Sequence, residues 1–183
     1  YIRFKVKESD DDLIVATTRP ELLCSCQTVL VNPDDERYLK HQDKYAVDPV
    51  YGKEVIIQPH SSAKPEFGSG AVMVCSYGDY TDVLLFRELG LNEIIAVDKN
   101  GRMTDAAGKY GGLRIKKARA EIVADLEKKD LVKKKENIIH RTPICERSRT
   151  PIEIIPMSEY YLKQIEFKPE IMKLAKKMTF HPE

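Results

Sequence analysis

From residue 1 to 75 the chain is a series of short β-branched runs, cut at close intervals by Gly, Pro, Ser and Asp. No other feature limits the fold as strongly. Ile2, Phe4 and Val6 alternate with Arg3, Lys5 and Lys7, the pattern of a half-buried strand. Asp10-Asp11-Asp12 supplies a turn, and Leu13–Thr18 reads as the returning strand of a hairpin, stopped at Pro20, which has no ladder donor. Thr28–Val31 is the next run and ends at Asn32-Pro33-Asp34-Asp35. Further short strands are expected at Tyr45–Val47, Glu54–Gln58 and Ala71–Cys75. Strands this short and closely spaced favour a barrel-like or strongly curved sheet over a flat one.

Helical periodicity enters only afterwards. Asp79–Leu89 carries Val83, Leu84 and Phe86 and is followed by Gly90, a C-terminal stop. Ile115–Lys129 places Ile115, Ala118, Ile122 and Leu126 on one face, predicting an amphipathic helix of about four turns. Ile94–Val97, Leu131–Ile139 and Ile152–Ile155 read as additional strands. Beyond residue 156 the texture is Lys-rich with one weak apolar stripe (Ile171, Leu174, Ala175), the look of a helical connector. The expected class is therefore mixed α/β, a β-barrel-like curved sheet with peripheral helices. Residues 1–155 form the main domain and 156–183 a helical linker.

Composition narrows the function classes. The 183 residues suffice to bury a core without cross-links. Thirty Lys and Arg against 29 Asp and Glu give a formal charge of +1, so bulk charge does not announce a polyanion partner. The lysine groups at 116–117, 128–129 and 133–135 could contact phosphates, but such residues are more often a solvated face. No apolar run approaches the roughly 20 residues that span a bilayer, and no membrane association is expected. The chain opens inside a strand pattern, without Met or a signal-peptide pattern, which predicts a piece of a longer protein. Cys24, Cys26, Cys75 and Cys145 form neither a disulfide framework nor a metal knuckle, so a reducing cytoplasm is the expected setting. In Cys145-Glu-Arg-Ser148, Ser148 stands where a second zinc thiolate would be needed. His41, His60, His140 and His181 are isolated in sequence and read as surface or linker residues. P-loop, dinucleotide-binding, zincin and nucleophile-elbow patterns are absent.

Two segments remain. Ala16-Thr17-Thr18-Arg19-Pro20-Glu21 gathers two hydroxyls, a guanidinium and a carboxylate at a strand end, where ligands are often met. The same residues also suit a strand that simply ends at proline, with threonines serving β propensity. The second segment is Gly68-Ser69-Gly70-Ala71-Val72-Met73, followed by Asp79-Tyr80-Thr81-Asp82. Gly68 and Gly70 permit close backbone approach. Asp79 and Asp82 share a helix face and could hold an ammonium group or orient a water. They equally suit a helix cap and its first turn.

In their order and spacing, Thr17-Thr18-Arg19-Pro20-Glu21, Gly68-Ser69-Gly70-Ala71-Val72 and Asp79-x-x-Asp82 resemble the editing domain inserted into class I valyl-, isoleucyl- and leucyl-tRNA synthetases. The stretches 31–38 (Val-Asn-Pro-Asp-Asp-Glu-Arg-Tyr), 101–110 and Thr150-Pro151-Ile152-Glu153-Ile154 are similar to the archaeal-type valyl members. The resemblance covers nearly the whole chain. It implies hydrolysis of a mischarged tRNA, which for a valyl enzyme is threonine on tRNA(Val). An apolar synthetic pocket discriminates poorly against a near-isostere with one more hydroxyl, valine against threonine being the standing example.

The resemblance also implies roles. Asp82 would bind the substrate ammonium and Asp79 the ammonium or the threonine hydroxyl. Thr17 and Thr18 would line the catalytic pocket. Arg19, Glu21, Gly68, Ser69, Gly70 and Met73 would contact substrate, with Met73 at a pocket flank or in the core. No covalent nucleophile, metal or cofactor is implied. The HIGH and KMSKS signatures are absent, so ATP and magnesium are expected only at the parent's catalytic domain. Expected partners are the tRNA(Val) 3′ acceptor end and that domain. Departures from the pattern are Gly78 in place of a common His, Met73 near a common Lys, and Leu22 in place of a common Thr. They make the pocket more apolar. The rivals are an isoleucyl or leucyl editing domain, and an insert that docks the acceptor end without chemistry.

Overall fold

A computed structural model describes residues 1–139 and 141–181. His140 lies outside the described residues. The chain runs β1 (Ile2–Val6), β2 (Asp12–Val15), a 3-10 helix (Pro20–Ser25), β3 (Cys26–Val31), β4 (Tyr45–Val47), β5 (Glu54–Pro59), β6 (Ala71–Cys75), α1 (Tyr80–Glu88), a 3-10 segment (Asp105–Tyr110), α2 (Ile115–Lys128) and α3 (Lys168–Ala175). The class is mixed α/β, and the sheet curls into a half-barrel.

Six strands form one sheet in the order β2-β1-β4-β5-β3-β6. Only β3 and β5 pair in parallel; the other neighbours are antiparallel. Phe4, Leu13, Val15, Val29, Val31 and Ile57 are fully buried on the inner face, and side chains of this size each contribute about 1.5–3 kcal/mol on burial. The two edge strands meet through a seam. Ser69 Oγ, just ahead of β6, accepts from Ala16 N at 3.2 Å, just after β2. At Gly68 (φ +58°) a Cβ would stand 2.8 Å from that of Ala16, so the seam demands a residue without one.

α2 buries Ala118, Ile122 and Leu126, the face its periodicity predicts, against the core. α1 begins at Asp79, whose side chain accepts from Asp82 N, and runs out before Gly90 at φ +61°. α3 buries no residue: Ile171 and Leu174 of its expected stripe are exposed.

Three expected strands do not form. Of 131–139, Val132 alone bridges, to Ile2; the pairing is antiparallel and Lys133 N already reaches the Tyr1 carbonyl, so the residues that follow run beyond β1. Within 94–97, the Ile94 N–H goes to Ser76 Oγ and the Ile95 carbonyl to Thr104 Oγ1, so only Val97 bridges, to Met103. Residues 152–155 lie beside a single Ile144–Pro151 bridge. His41 is buried rather than on the surface. Burial and neighbouring lysines lower its pKa, against the pull of Asp11. Among the described residues no helix is long and apolar enough to cross a membrane.

Candidate functional site

Both sequence segments converge on β6. Ala16 is tied to Ser69 at the start of that strand. Three residues later, Arg19 Nη1 donates to the Gly78 carbonyl just past its end, at 2.8 Å. Thr17 and Thr18 lie in the chain between these two anchors. Thr17 Oγ1 accepts from Arg19 N at 2.9 Å, which bends the backbone into the 3-10 helix. Thr18 is exposed and Thr17 half-buried. The segment ahead of Pro20 thus carries two hydroxyls between anchors to the two ends of β6.

Past β6 stands the acid pair. Asp79 Oδ1 accepts from Asp82 N at 2.9 Å, the bond of a helix cap. Asp82 is half-buried, and its Oδ1 accepts from Cys75 N at 3.3 Å. Burial, then repulsion from Asp79, push Asp82 up to about 7, against the pull of the two backbone bonds and of Arg19. Among the described residues it has no ion-pair partner. Its other oxygen lies against the Gly78 Cα, where a Cβ would come within 1.8 Å. That contact explains the glycine: a larger residue at 78 would require this carboxylate to stand elsewhere.

Glu21 has the opposite surroundings. It is fully buried. Arg119 Nε donates to its Oε2 at 2.8 Å and Arg119 Nη2 to its Oε1 at 2.7 Å; Arg19 Nε adds a bond to Oε1 at 3.0 Å. The remaining Arg19 nitrogen, Nη2, binds Glu153. Burial opposes the Arg19 charge, but Glu153 and Glu21 more than offset it and leave its pKa above the ordinary value.

The other expected site residues fall in two places. Ser69 Oγ bonds Ala71 as well as Ala16, and the Ser69 carbonyl accepts from Tyr38. At Gly70 (φ +82°) a Cβ would meet Arg37 at 2.5 Å. Gly68, Ser69 and Gly70 therefore shape the seam at one end of β6, while Asp79 and Asp82 stand beyond the other. Met73 is buried in the strand, opposite Val29. Sequence reasoning missed Arg119 and Glu153. Their partners lie 98 and 134 residues away, and no local pattern announces such a contact.

A small hollow is walled by Leu22, Tyr77, Ile95, Val97, Ile154 and Pro156, and neither Asp79 nor Asp82 lines it. An open groove of about 440 Å3 elsewhere, lined by Arg3, Lys5, Tyr51 and Leu131, contains none of the expected residues. Among the described residues no three His, Cys, Asp or Glu side chains group as a metal site.

No family model matches the chain. Its full length is 52% identical to part of the valine–tRNA ligase of Nanoarchaeum equitans and 47% identical to part of that of Pyrobaculum aerophilum, covering 24% and 22% of those proteins. The valine–tRNA ligase of Methanocaldococcus jannaschii is 38% identical over the same length, with 21% covered. The chain thus spans about a quarter or less of the relatives it matches. A solved ternary complex of an Agrobacterium radiobacter LeuRS with tRNA and LeuAMS contains a similar fold, with a TM-score of 0.58 at 20% identity over 71% of this chain and 19% of that one. Every residue of the chain lies inside its alignments with these valine–tRNA ligases, and the curled sheet is shared with a second synthetase, which fits a connective-peptide, or editing-domain, segment of an archaeal-type valyl-tRNA synthetase.

Proposed function

We propose that the chain hydrolyses mischarged tRNA after transfer, deacylating threonyl-tRNA(Val). The observation that carries this reading is Asp82, a half-buried carboxyl with a pKa of about 7 and no ion-pair partner among the described residues, against the Gly78 turn that Arg19 of the Thr17–Glu21 segment binds. An α-ammonium group brought to this carboxyl favours its ionised form and completes the missing ion pair. The ester is thereby oriented for attack by a water held among Asp82, Asp79 and the Thr17 and Thr18 hydroxyls. Water adds to the ester carbonyl, and the tetrahedral oxyanion collapses with loss of the ribose oxygen. Free threonine and tRNA(Val) result. An aminoacyl ester is labile enough that positioning and oriented charge suffice without a covalent nucleophile.

In this reading Asp79 keeps one oxygen on the helix cap and offers the other to the threonine hydroxyl, which valine lacks. The partners are the tRNA 3′ end and the catalytic domain of a longer parent, in the cytoplasm. Residues 1–155 form the hydrolytic domain and 156–183 lead back toward that parent.

The test offers the parent synthetase tRNA(Val) charged with threonine, valine or isoleucine, with Asp82→Ala as control. Selective release of threonine that disappears in the variant supports the reading. Equally slow deacylation by wild type and variant overturns it, and leaves an insert that docks the acceptor end without chemistry.

A further inference from the structure

We infer that Arg119 and Glu153 are positioning residues for this site: with Glu21 and Arg19 they form a four-member ionic chain that holds the turn carrying Gly78, and so sets where the Asp82 carboxylate stands. The inference rests on the editing reading and assigns that site its supports.

The chain runs Arg119, Glu21, Arg19, Glu153, alternating in sign and summing to zero. Its members come from α2, the 3-10 helix, the segment after β2 and the stretch after residue 150. Every kind of Arg19 donor nitrogen is engaged inside the protein: Nε with Glu21, Nη2 with Glu153, Nη1 with the Gly78 carbonyl. Three of its five N–H groups are thereby committed, one on each nitrogen, which fixes the guanidinium in place. What it does deliver is position. The Gly78 carbonyl is fixed from one side, and the Gly78 Cα is in contact with the Asp82 carboxylate on the other. The opposite Asp82 oxygen is held by Cys75 N.

Glu153 is itself anchored. Ile155 packs against the main core, and Ile154 and Pro156 wall the small hollow with Leu22 and Tyr77. Residues 153–156 thus form a strap over the turn that ends in Gly78. Ion pairs taken out of water recover their desolvation cost only with good geometry and add little net stability. Stability alone is thus a poor reason for a four-member chain, whereas a fixed turn beside a reacting group is a good one.

The decisive variants are Glu153→Gln, Glu153→Asp and Arg119→Gln in the parent synthetase. Two measurements are made: threonyl-tRNA(Val) deacylation across pH, and the titration of the Asp82 carboxyl by carbon-detected NMR. The charged and titratable groups facing Asp82 are Asp79, Arg19 and Cys75. Of these, the variants disturb Arg19 alone, the one cation. Glu153→Gln and Arg119→Gln should lower kcat by ~10-fold with KM within about two-fold, and move the Asp82 midpoint upward. Glu153→Asp should restore most of both. An unchanged midpoint, with or without a uniform loss of activity, overturns the inference. If the wild type fails to release threonine, the editing reading falls, while the NMR midpoints still decide whether the ionic chain positions Asp82.

Discussion

Glu21 and Asp82 are two carboxyls in one site with opposite surroundings. Glu21 is fully buried and saturated by two guanidiniums. Asp82 is half-buried, bonded by backbone N–H groups alone, and crowded by a second acid. A carboxylate whose positive charges come from its own fold serves the architecture. One left without a cation is available to a cation that arrives. Sequence alone places both in short motifs of equal standing, and only the structure separates them.

The largest expected effect breaks the buried member. Glu21→Ala leaves Arg19 and Arg119 facing each other without their shared anion, which costs ~3–5 kcal/mol. Urea unfolding should show most of the stability lost, and a variant as stable as wild type would mean that Glu21 is no keystone. Next comes Asp82→Ala, which should reduce threonyl-tRNA(Val) deacylation by ~10²-fold while leaving the unfolding midpoint no lower. A parallel loss of stability would place Asp82 with Glu21 and erase the contrast. Gly78→Ala is finer. Its backbone is not strained, but the new methyl group meets the Asp82 carboxylate, so deacylation should fall by ~10-fold with little change in melting temperature. Undiminished activity would show that the carboxylate can stand elsewhere.

The smallest effect concerns pH. The folded pKa of Asp82, about 7, lies above its ordinary value of 3.8, so between these values the folded state holds the extra proton. The stability it contributes is full below pH ~4 and is lost as pH rises through 7. Asp82→Asn should remove this dependence, so its stability relative to wild type rises between about pH 4 and 7 and then levels off. A difference that stays constant across that range would contradict the elevated value. With substrate, kcat/KM should rise with pH through about 7 as the carboxyl ionises to meet the ammonium group.

Much of the fold is legible in the chain because it rests on local signals. β4 and β6 fall at the residues their β-branched runs predict, and Asp79 and Gly90 bound α1 through capping chemistry any local reader can see. The failures have causes outside the local pattern. Residues 131–139 carry a strand pattern, but the antiparallel register set by Val132 and Ile2 takes those after Lys133 beyond β1. Ile94 and Ile95 give their backbone groups to Ser76 and Thr104 side chains. In the site, the Thr17–Glu21 and Asp79–Asp82 segments are visible because each is contiguous. Arg119 and Glu153 are not, because a cation on a helix and an acid in an irregular stretch look like ordinary solvated charges until the fold brings Glu21 and Arg19 to them.

The seam at Ala16 and Ser69 has a consequence for how the molecule acquires its shape. Fifty-three residues separate the two, 59 separate Arg19 from Gly78, and 134 separate Arg19 from Glu153. Closing such loops carries its entropic cost before the contacts repay it, and β3 must likewise wait for its parallel partner β5. On a chain emerging from the ribosome, the first hairpin can form as soon as it is made. The Thr17–Thr18 segment receives its tether at Gly78 only after β6 has emerged, and the last ionic link to Glu153 comes about 75 residues later still. The part of the molecule written earliest in its motif is therefore among the last to be completed.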